Sequence, residues 1–201
     1  EAEIIRAQSA KIKDLVQDLN LVSQLEYEMQ PLTKAPVRLS RLLRSYAVDL
    51  LNAGIPEKYL LETEISKDAE TVVIECDARL ISRAVNNLVQ NSINHNPQGC
   101  TISLQLACSD TTIFLTVADD GVGLSAEKLR ELEEKPHYME STDERLDLRH
   151  GLGLLLVRQI VESHGGTMKM ESAPQSGYQT ILAFQKPLSF SFVDRQNSGK
   201  Y

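Results

Sequence analysis

From Leu80 onward, apolar residues recur at intervals of three and four: Leu80, Ile81, Ala84, Val85, Leu88, Val89 and Ile93. That spacing predicts a helix over 77–96 with one face turned to a sheet. A second helical stripe opens the chain. Ile5, Ile12 and Leu19 fall seven apart, as do Leu15, Val22 and Met29, and no Gly or Pro interrupts them before Pro31. The pair of heptad series gives an a/d-like seam that a lone helix cannot bury, so it should dock on its own domain, a second copy or a neighbouring helix.

Between and after these helices the pattern changes period. Pro31 and Pro36 bracket a linker, and Val37–Leu39 reads as a short strand. Ser40 is the expected N-cap of a helix that ends near Gly54. Strands are predicted over Tyr59–Ile65 and Thr71–Cys76, with Lys67 and Asp68 in the turn between them. Thr101–Ala107 and Thr112–Ala118 alternate and form a hairpin, as do Thr167–Ser172 and Tyr178–Phe184. A short charged helix over 125–135 and a longer one from about Leu152 to His164, closed by Gly165 and Gly166, complete the order. Strands and helices do not alternate strictly, so the expectation is an α+β sandwich, a mixed sheet covered on one face by helices. The tail over 187–201 has little to anchor it.

Composition narrows the class. The chain has 201 residues, 42% of them hydrophobic, enough for one globular domain and a smaller element. A formal charge of −7 argues against a nucleic-acid partner or an anionic-membrane patch, which need clustered Lys and Arg. Cys76, Cys100 and Cys108 lie far apart without CxxC spacing, which fits a reduced, intracellular setting better than a zinc site or disulfide framework. No run reaches the roughly 20 apolar residues of a spanning helix. The start inside a helical pattern is expected of a piece of a longer protein.

Candidate chemistry begins on the central helix. Asn87 and Asn91 stack two neutral amides on one face of consecutive turns. Amide oxygens are hard donors suited to a magnesium ion that also carries phosphate oxygens and water, and amide nitrogens can donate to phosphate. The segment DDGVG, Asp119–Gly123, follows a strand directly. A carboxylate there can accept a hydrogen bond from an exocyclic amine such as that of adenine, and two glycines permit close backbone approach. GLGL, Gly151–Leu154, opens a helix, where free N–H groups and the helix dipole favour a phosphate chain. Each signal has an ordinary reading too: a solvated helix face, a tight turn, a glycine-rich helix start. No G-x-x-x-x-G-K-[ST] loop is present, so ATP would not be held in the P-loop manner.

Taken in order, NNLVQNSINHN, DDGVG, a charged interlude, HGLGL and a closing hairpin resemble the ATP-binding domain of two-component sensor histidine kinases. That domain shares the Bergerat fold with gyrase, Hsp90 and MutL-type ATPases, and the resemblance covers residues 35–186. It implies that Asn91 is the magnesium ligand and Asn87 its phosphate-side neighbour, that Asp119 binds the adenine amino group, and that Gly121 and Gly123 shape that pocket. It further implies that Gly151 and Gly153 hold the phosphates and that residues 124–150 form a lid. Asn94, His95, Leu124, His150, Leu152, Leu154 and Thr180 join the ATP-binding set on the same basis. ATP and Mg2+ would be the ligands, a response-regulator receiver domain the partner.

Residues 1–32 look like the second helix of the family's dimerisation and phosphotransfer bundle, implying a homodimer in the full-length protein. The four histidines are followed by Asn96, Tyr138, Gly151 and Gly165, so none matches the phosphate-accepting motif. Asn94 stands where many relatives carry a basic residue, leaving phosphate charge to His95, Arg145 or Arg149. Pro136–Tyr138 replaces the Phe-rich box of the lid. Hydrolysing members of the wider group place Glu where Asn87 stands. A neutral amide cannot act as a general base, so transfer to an imidazole is favoured over hydrolysis. The expectation is the cytoplasmic catalytic part of a membrane-anchored kinase. A regulatory module that binds nucleotide without phosphorylating is the alternative.

Overall fold

The computed structural model describes residues 2–27, 31–134 and 148–186. In chain order they form α1 (Ala2–Glu26), β1 (Ala35–Arg38), α2 (Leu39–Asn52), β2 (Tyr59–Ile65), β3 (Val73–Cys76), α3 (Ala78–His95), β4 (Cys100–Cys108), β5 (Thr112–Asp119), α4 (Ala126–Glu134), α5 (Leu148–Ser163), β6 (Thr167–Ser172) and β7 (Tyr178–Gln185). The expected lid over 124–150 falls partly, and the tail over 187–201 wholly, outside the described residues, as do Pro136–Tyr138 and Arg145. Among the described residues no helix is long and apolar enough to cross a membrane.

Five strands make one mixed sheet in the order β2-β4-β5-β7-β6. β2 and β4 run parallel, joined through β3 and α3, and the other neighbours are antiparallel. β1 and β3 form a separate antiparallel pair. On β4 and β5 the odd-even alternation is strict on one face: Ile102, Leu104, Leu106, Ile113, Leu115 and Val117 are buried toward the helices. The α+β sandwich with helices over one sheet face is the observed architecture.

Each helix begins and ends for a local reason. Asp77 caps α3, its Oδ1 accepting from the backbone N–H of Arg79 at 3.1 Å and of Leu80 at 3.4 Å. All seven apolar positions of the predicted stripe lie on α3, and six of them, Leu80 to Val89, are buried, with Ile93 packed at the edge. α5 has a broad apolar face because it packs on α1, on α3 and on β6, with Arg158, Gln159 and Glu162 on its less covered side. Ser40 is not a cap: α2 starts at Leu39, and Ser40 Oγ donates to the Glu70 carbonyl at 2.7 Å from inside the helix. β3 starts at Val73 rather than Thr71 because a 3-10 turn over Lys67–Ala69 precedes it.

The N-terminal seam is divided. Leu21, Val22 and Leu25 are buried against the domain, and Arg83 of α3 pairs with Asp18. Ile12, Val16 and Leu19, at i, i+4, i+7, remain more than half exposed. Docking on its own domain therefore accounts for the C-terminal end of α1 and leaves the other apolar face uncovered.

His164, just past α5, ties that helix to the start of α3. Its Nδ1–H donates to the Ile160 carbonyl at 2.7 Å, and Nε2 accepts from the backbone N–H of Asp77 at 3.0 Å. This arrangement needs the neutral ring. Burial, aided by Lys34, lowers the His164 pKa below its usual 6.5. Because the unfolded chain binds this proton more readily, the contribution is complete above about pH 6.5 and declines as pH falls through the lowered folded value. Between about pH 7.5 and about pH 5.5 the urea midpoint should fall further for the wild-type protein than for His164→Gln. Equal declines would show that this imidazole is not the linked group.

Candidate functional site

α3 carries two polar clusters along one side, and each meets a different glycine. At its middle, Asn87 and Asn91 are partly buried. Asn87 Nδ2 donates to the Arg83 carbonyl at 3.2 Å, which fixes the amide and turns its oxygen outward from the helix. Gly153 on α5 faces both side chains. A Cβ placed there would lie 3.6 Å from Asn87 Oδ1 and 3.8 Å from Asn91 Oδ1. Two hard neutral oxygens thus converge on a backbone point with no side chain. That donor set fits a magnesium ion sharing its coordination with phosphate and water.

The role of the glycines differs from expectation here. α5 begins at Leu148, about one turn earlier than predicted, so Gly153 and Leu154 lie within the helical ladder and their N–H groups are committed. What Gly153 contributes is space. Leu152 and Leu154 have buried side chains in the core, so neither offers a side chain to a ligand. His150 and Gly151 lie on the first turn of α5, where a bound anion would meet free N–H groups, and the His150 and Arg149 side chains lie outside the described residues. Asn94 and His95 are exposed at the end of α3.

At the C-terminal end of α3 the second cluster surrounds Asp119, the last residue of β5. Ser92 Oγ donates to Asp119 Oδ2 at 2.8 Å, while Asn96 Nδ2 and the Gly121 N–H each donate to Oδ1 at 3.1 Å. Asn96 is buried, and its Nδ2 also donates to the Ser92 carbonyl while its Oδ1 accepts from the Val122 N–H at 3.0 Å. Among the described residues no buried side-chain polar atom lacks a partner. Asn96 and Ser92 were read only as part of a helix and its end. Their spacing of four, continuing Asn87 and Asn91 around the helix, was the available signal.

Gly121 and Gly123 permit close approach, but of protein to protein. A Cβ at Gly121 would meet Asn96 Oδ1 at 1.9 Å, and one at Gly123, whose φ is +64°, would meet the Ala173 carbonyl at 2.0 Å. The DDGVG turn is stapled to the β6–β7 hairpin, since Leu124 N–H donates to Ser172 Oγ at 2.8 Å and Gln175 N–H to the Val122 carbonyl. Across the strand pair from Asp119 stands Tyr178. Its hydroxyl meets Thr180 Oγ1 at 3.2 Å, and burial pushes its pKa up to about 12, so it stays a neutral phenol. Thr180 is fully buried on the same face of the sheet as Asp119. Cys100, at the near end of β4, has its thiol raised to about 11 by burial and by Asp119 and Asp120.

Residues 76–188, more than half of the chain, match the family described as histidine kinase-, DNA gyrase B- and HSP90-like ATPase. The chain belongs to that family. It is 32% identical over 184 residues to the probable sensor histidine kinase TcrY of Mycobacterium tuberculosis, covering 92% of this chain and 37% of that relative. The chain therefore spans well under half of the length of such a sensor kinase. In structure it resembles the histidine kinase AdeS of Acinetobacter baumannii, with a TM-score of 0.66 at 18% identity, covering 92% of this chain and 83% of that one. It also resembles the histidine kinase ThkA in its complex with the response regulator protein TrrA. There the TM-score is 0.69 at 22% identity, covering 91% of this chain and 49% of that one. These likenesses establish the fold of histidine kinase ATP-binding domains.

The glycines separate stability from function. Gly153→Ala makes only ordinary contacts and should hold or raise stability by roughly 0.5–1 kcal/mol, as expected for Ala in a helix. The same methyl intrudes between the amide oxygens and should weaken adenine-nucleotide binding about tenfold or more. Gly121→Ala, which collides with a buried amide, should instead lose on the order of 1–3 kcal/mol of stability. Urea unfolding and calorimetric titration of both variants check this. A Gly153→Ala protein that binds like wild type would remove the amide pair from the site.

Proposed function

We propose that this chain is the catalytic part of a sensor histidine kinase, which binds Mg-ATP along α3 and passes the γ-phosphoryl group to a His on another helix. The observation that carries the reading is the division of α3: amide oxygens face Gly153 at its middle, and a fixed carboxylate stands at its end. A nucleotide laid along the helix would meet Asp119 with its base amine and the Asn87–Asn91–Gly153 opening with its phosphates. A magnesium ion held by Asn91 would neutralise phosphate charge there.

The chemistry asks little else of the protein. A neutral imidazole nitrogen has a free lone pair, so it attacks the γ-phosphorus without a general base, forming the N–P bond as the bond to the β-phosphate oxygen breaks and ADP leaves. Asn87 positions and cannot take a proton from water, which disfavours hydrolysis. None of the four histidines here stands in the acceptor motif, so in this reading the acceptor is a His outside this sequence. A response-regulator Asp would then receive the phosphoryl group, consistent with the complex that ThkA forms with TrrA. The exposed stripe Ile12, Val16 and Leu19 on α1 supports a helical neighbour, as in a homodimeric bundle of the full-length protein. A domain that consumes ATP belongs in the cytoplasm, here as part of a membrane-anchored sensor.

An acceptor-helix domain supplied in trans with labelled ATP should become phosphorylated on His. Asn91→Ala should reduce that transfer roughly 100-fold or more with the fold intact by circular dichroism. Unchanged transfer by Asn91→Ala refutes the site, and ATP binding without any phosphohistidine favours a regulatory module over a kinase.

A further inference from the structure

We propose that Asn96 is a specificity-determining positioning residue: by occupying Asp119 Oδ1, it leaves that carboxylate with a single oxygen open to a purine, which selects adenine over guanine. This rests on the reading that Asp119 meets the base.

The argument is an inventory of lone pairs. An ionised carboxylate offers about four acceptor positions, two on each oxygen. On Oδ1 both are taken, one by Asn96 Nδ2 at 3.1 Å and one by the Gly121 N–H at 3.1 Å. On Oδ2, among the described residues, one is taken, by Ser92 Oγ at 2.8 Å, and one is left. Asn96 cannot turn its amide away. Its Oδ1 accepts from the Val122 N–H at 3.0 Å, and its other amide proton is held by the Ser92 carbonyl at 2.9 Å, so only one orientation satisfies every partner. The residue is only 4% exposed and lies against Gly121, where a Cβ would overlap its amide. Burial makes any lost partner costly, which fixes the arrangement.

The two purines ask different things of a carboxylate. Adenine presents one exocyclic amine next to a ring nitrogen that is itself an acceptor, so one open oxygen suffices and a second would be repelled. Guanine presents N1–H and an exocyclic amine side by side, a pair that a carboxylate binds with both oxygens at once. With Oδ1 saturated, that two-oxygen grip is unavailable, and guanine would leave a donor unpaired. Discrimination thus comes from the withheld oxygen as well as from the offered one.

The test compares calorimetric affinities for ADP and GDP in wild type, Asn96→Leu and Ser92→Ala. Asn96→Leu fills similar volume and frees one Oδ1 position. Its ADP-over-GDP preference should fall roughly tenfold or more, even if both affinities weaken. The ratio is insensitive to partial unfolding, because the competent fraction scales both affinities alike. Ser92→Ala frees a position on the other oxygen, so it should weaken ADP yet keep the preference. A wild-type protein with no ADP preference overturns the placing of the base at Asp119, and this inference with it. A wild-type preference that Asn96→Leu retains, or that Ser92→Ala loses equally, overturns the inference alone.

Discussion

The carboxylate of Asp119 is the constraint on which the site's geometry depends. It ends β5 in a buried position and must be satisfied, because an unpaired buried charge costs several kcal/mol. Its side-chain donors, Ser92 and Asn96, both come from the end of α3, and Asn96 in turn holds the Val122 N–H of the following turn. Helix, strand and glycine turn are thereby fixed to one another at one point. A shift of α3 along the sheet would break these bonds together. That rigidity reaches five and nine residues earlier on the same helix, where Asn91 and Asn87 face Gly153.

α3 carries out two tasks with two faces. Its apolar stripe from Leu80 to Val89 packs into the core, and its polar line from Asn87 to Asn96 lies on the side that α5 and the DDGVG turn approach. Fixing the first face sets the second. His164 reinforces this from the far end, joining the close of α5 to the cap residue of α3 through the Asp77 N–H. α1 packs over α5 and pairs Asp18 with Arg83 of α3, so a movement of the N-terminal helix is mechanically linked to both helices that flank the site.

Much of the architecture was legible because the periodicities were strong. The strands of the large sheet and the span of α3 agree with the sequence pattern to within a residue or two, and the pairing of Asn87 with Asn91 follows from helix geometry alone. The less legible features depend on tertiary partners. α5 starts early because α1 and α3 enclose it, which no cap residue announced. Ser40 reads as a cap until Glu70 arrives to claim its hydroxyl. Gly121 and Gly123 read as shaping a ligand pocket, and what the pattern did not announce is that their Cβ side is filled by Asn96 and by the Ala173 carbonyl. Asn96 looked like a helix terminator because its partners lie 23 and 26 residues away in sequence.

The most direct measurement is a calorimetric titration of adenosine and of a non-hydrolysable ATP analogue, each with and without magnesium. In the proposed function the two ends of α3 make separate demands: the carboxylate end would read the base and the amide end would read phosphate through the metal. Adenosine should therefore bind weakly and equally in both conditions, while the analogue should gain roughly tenfold or more in affinity when magnesium is present. An analogue whose affinity is indifferent to magnesium, or an adenosine that does not bind at all, would contradict the account.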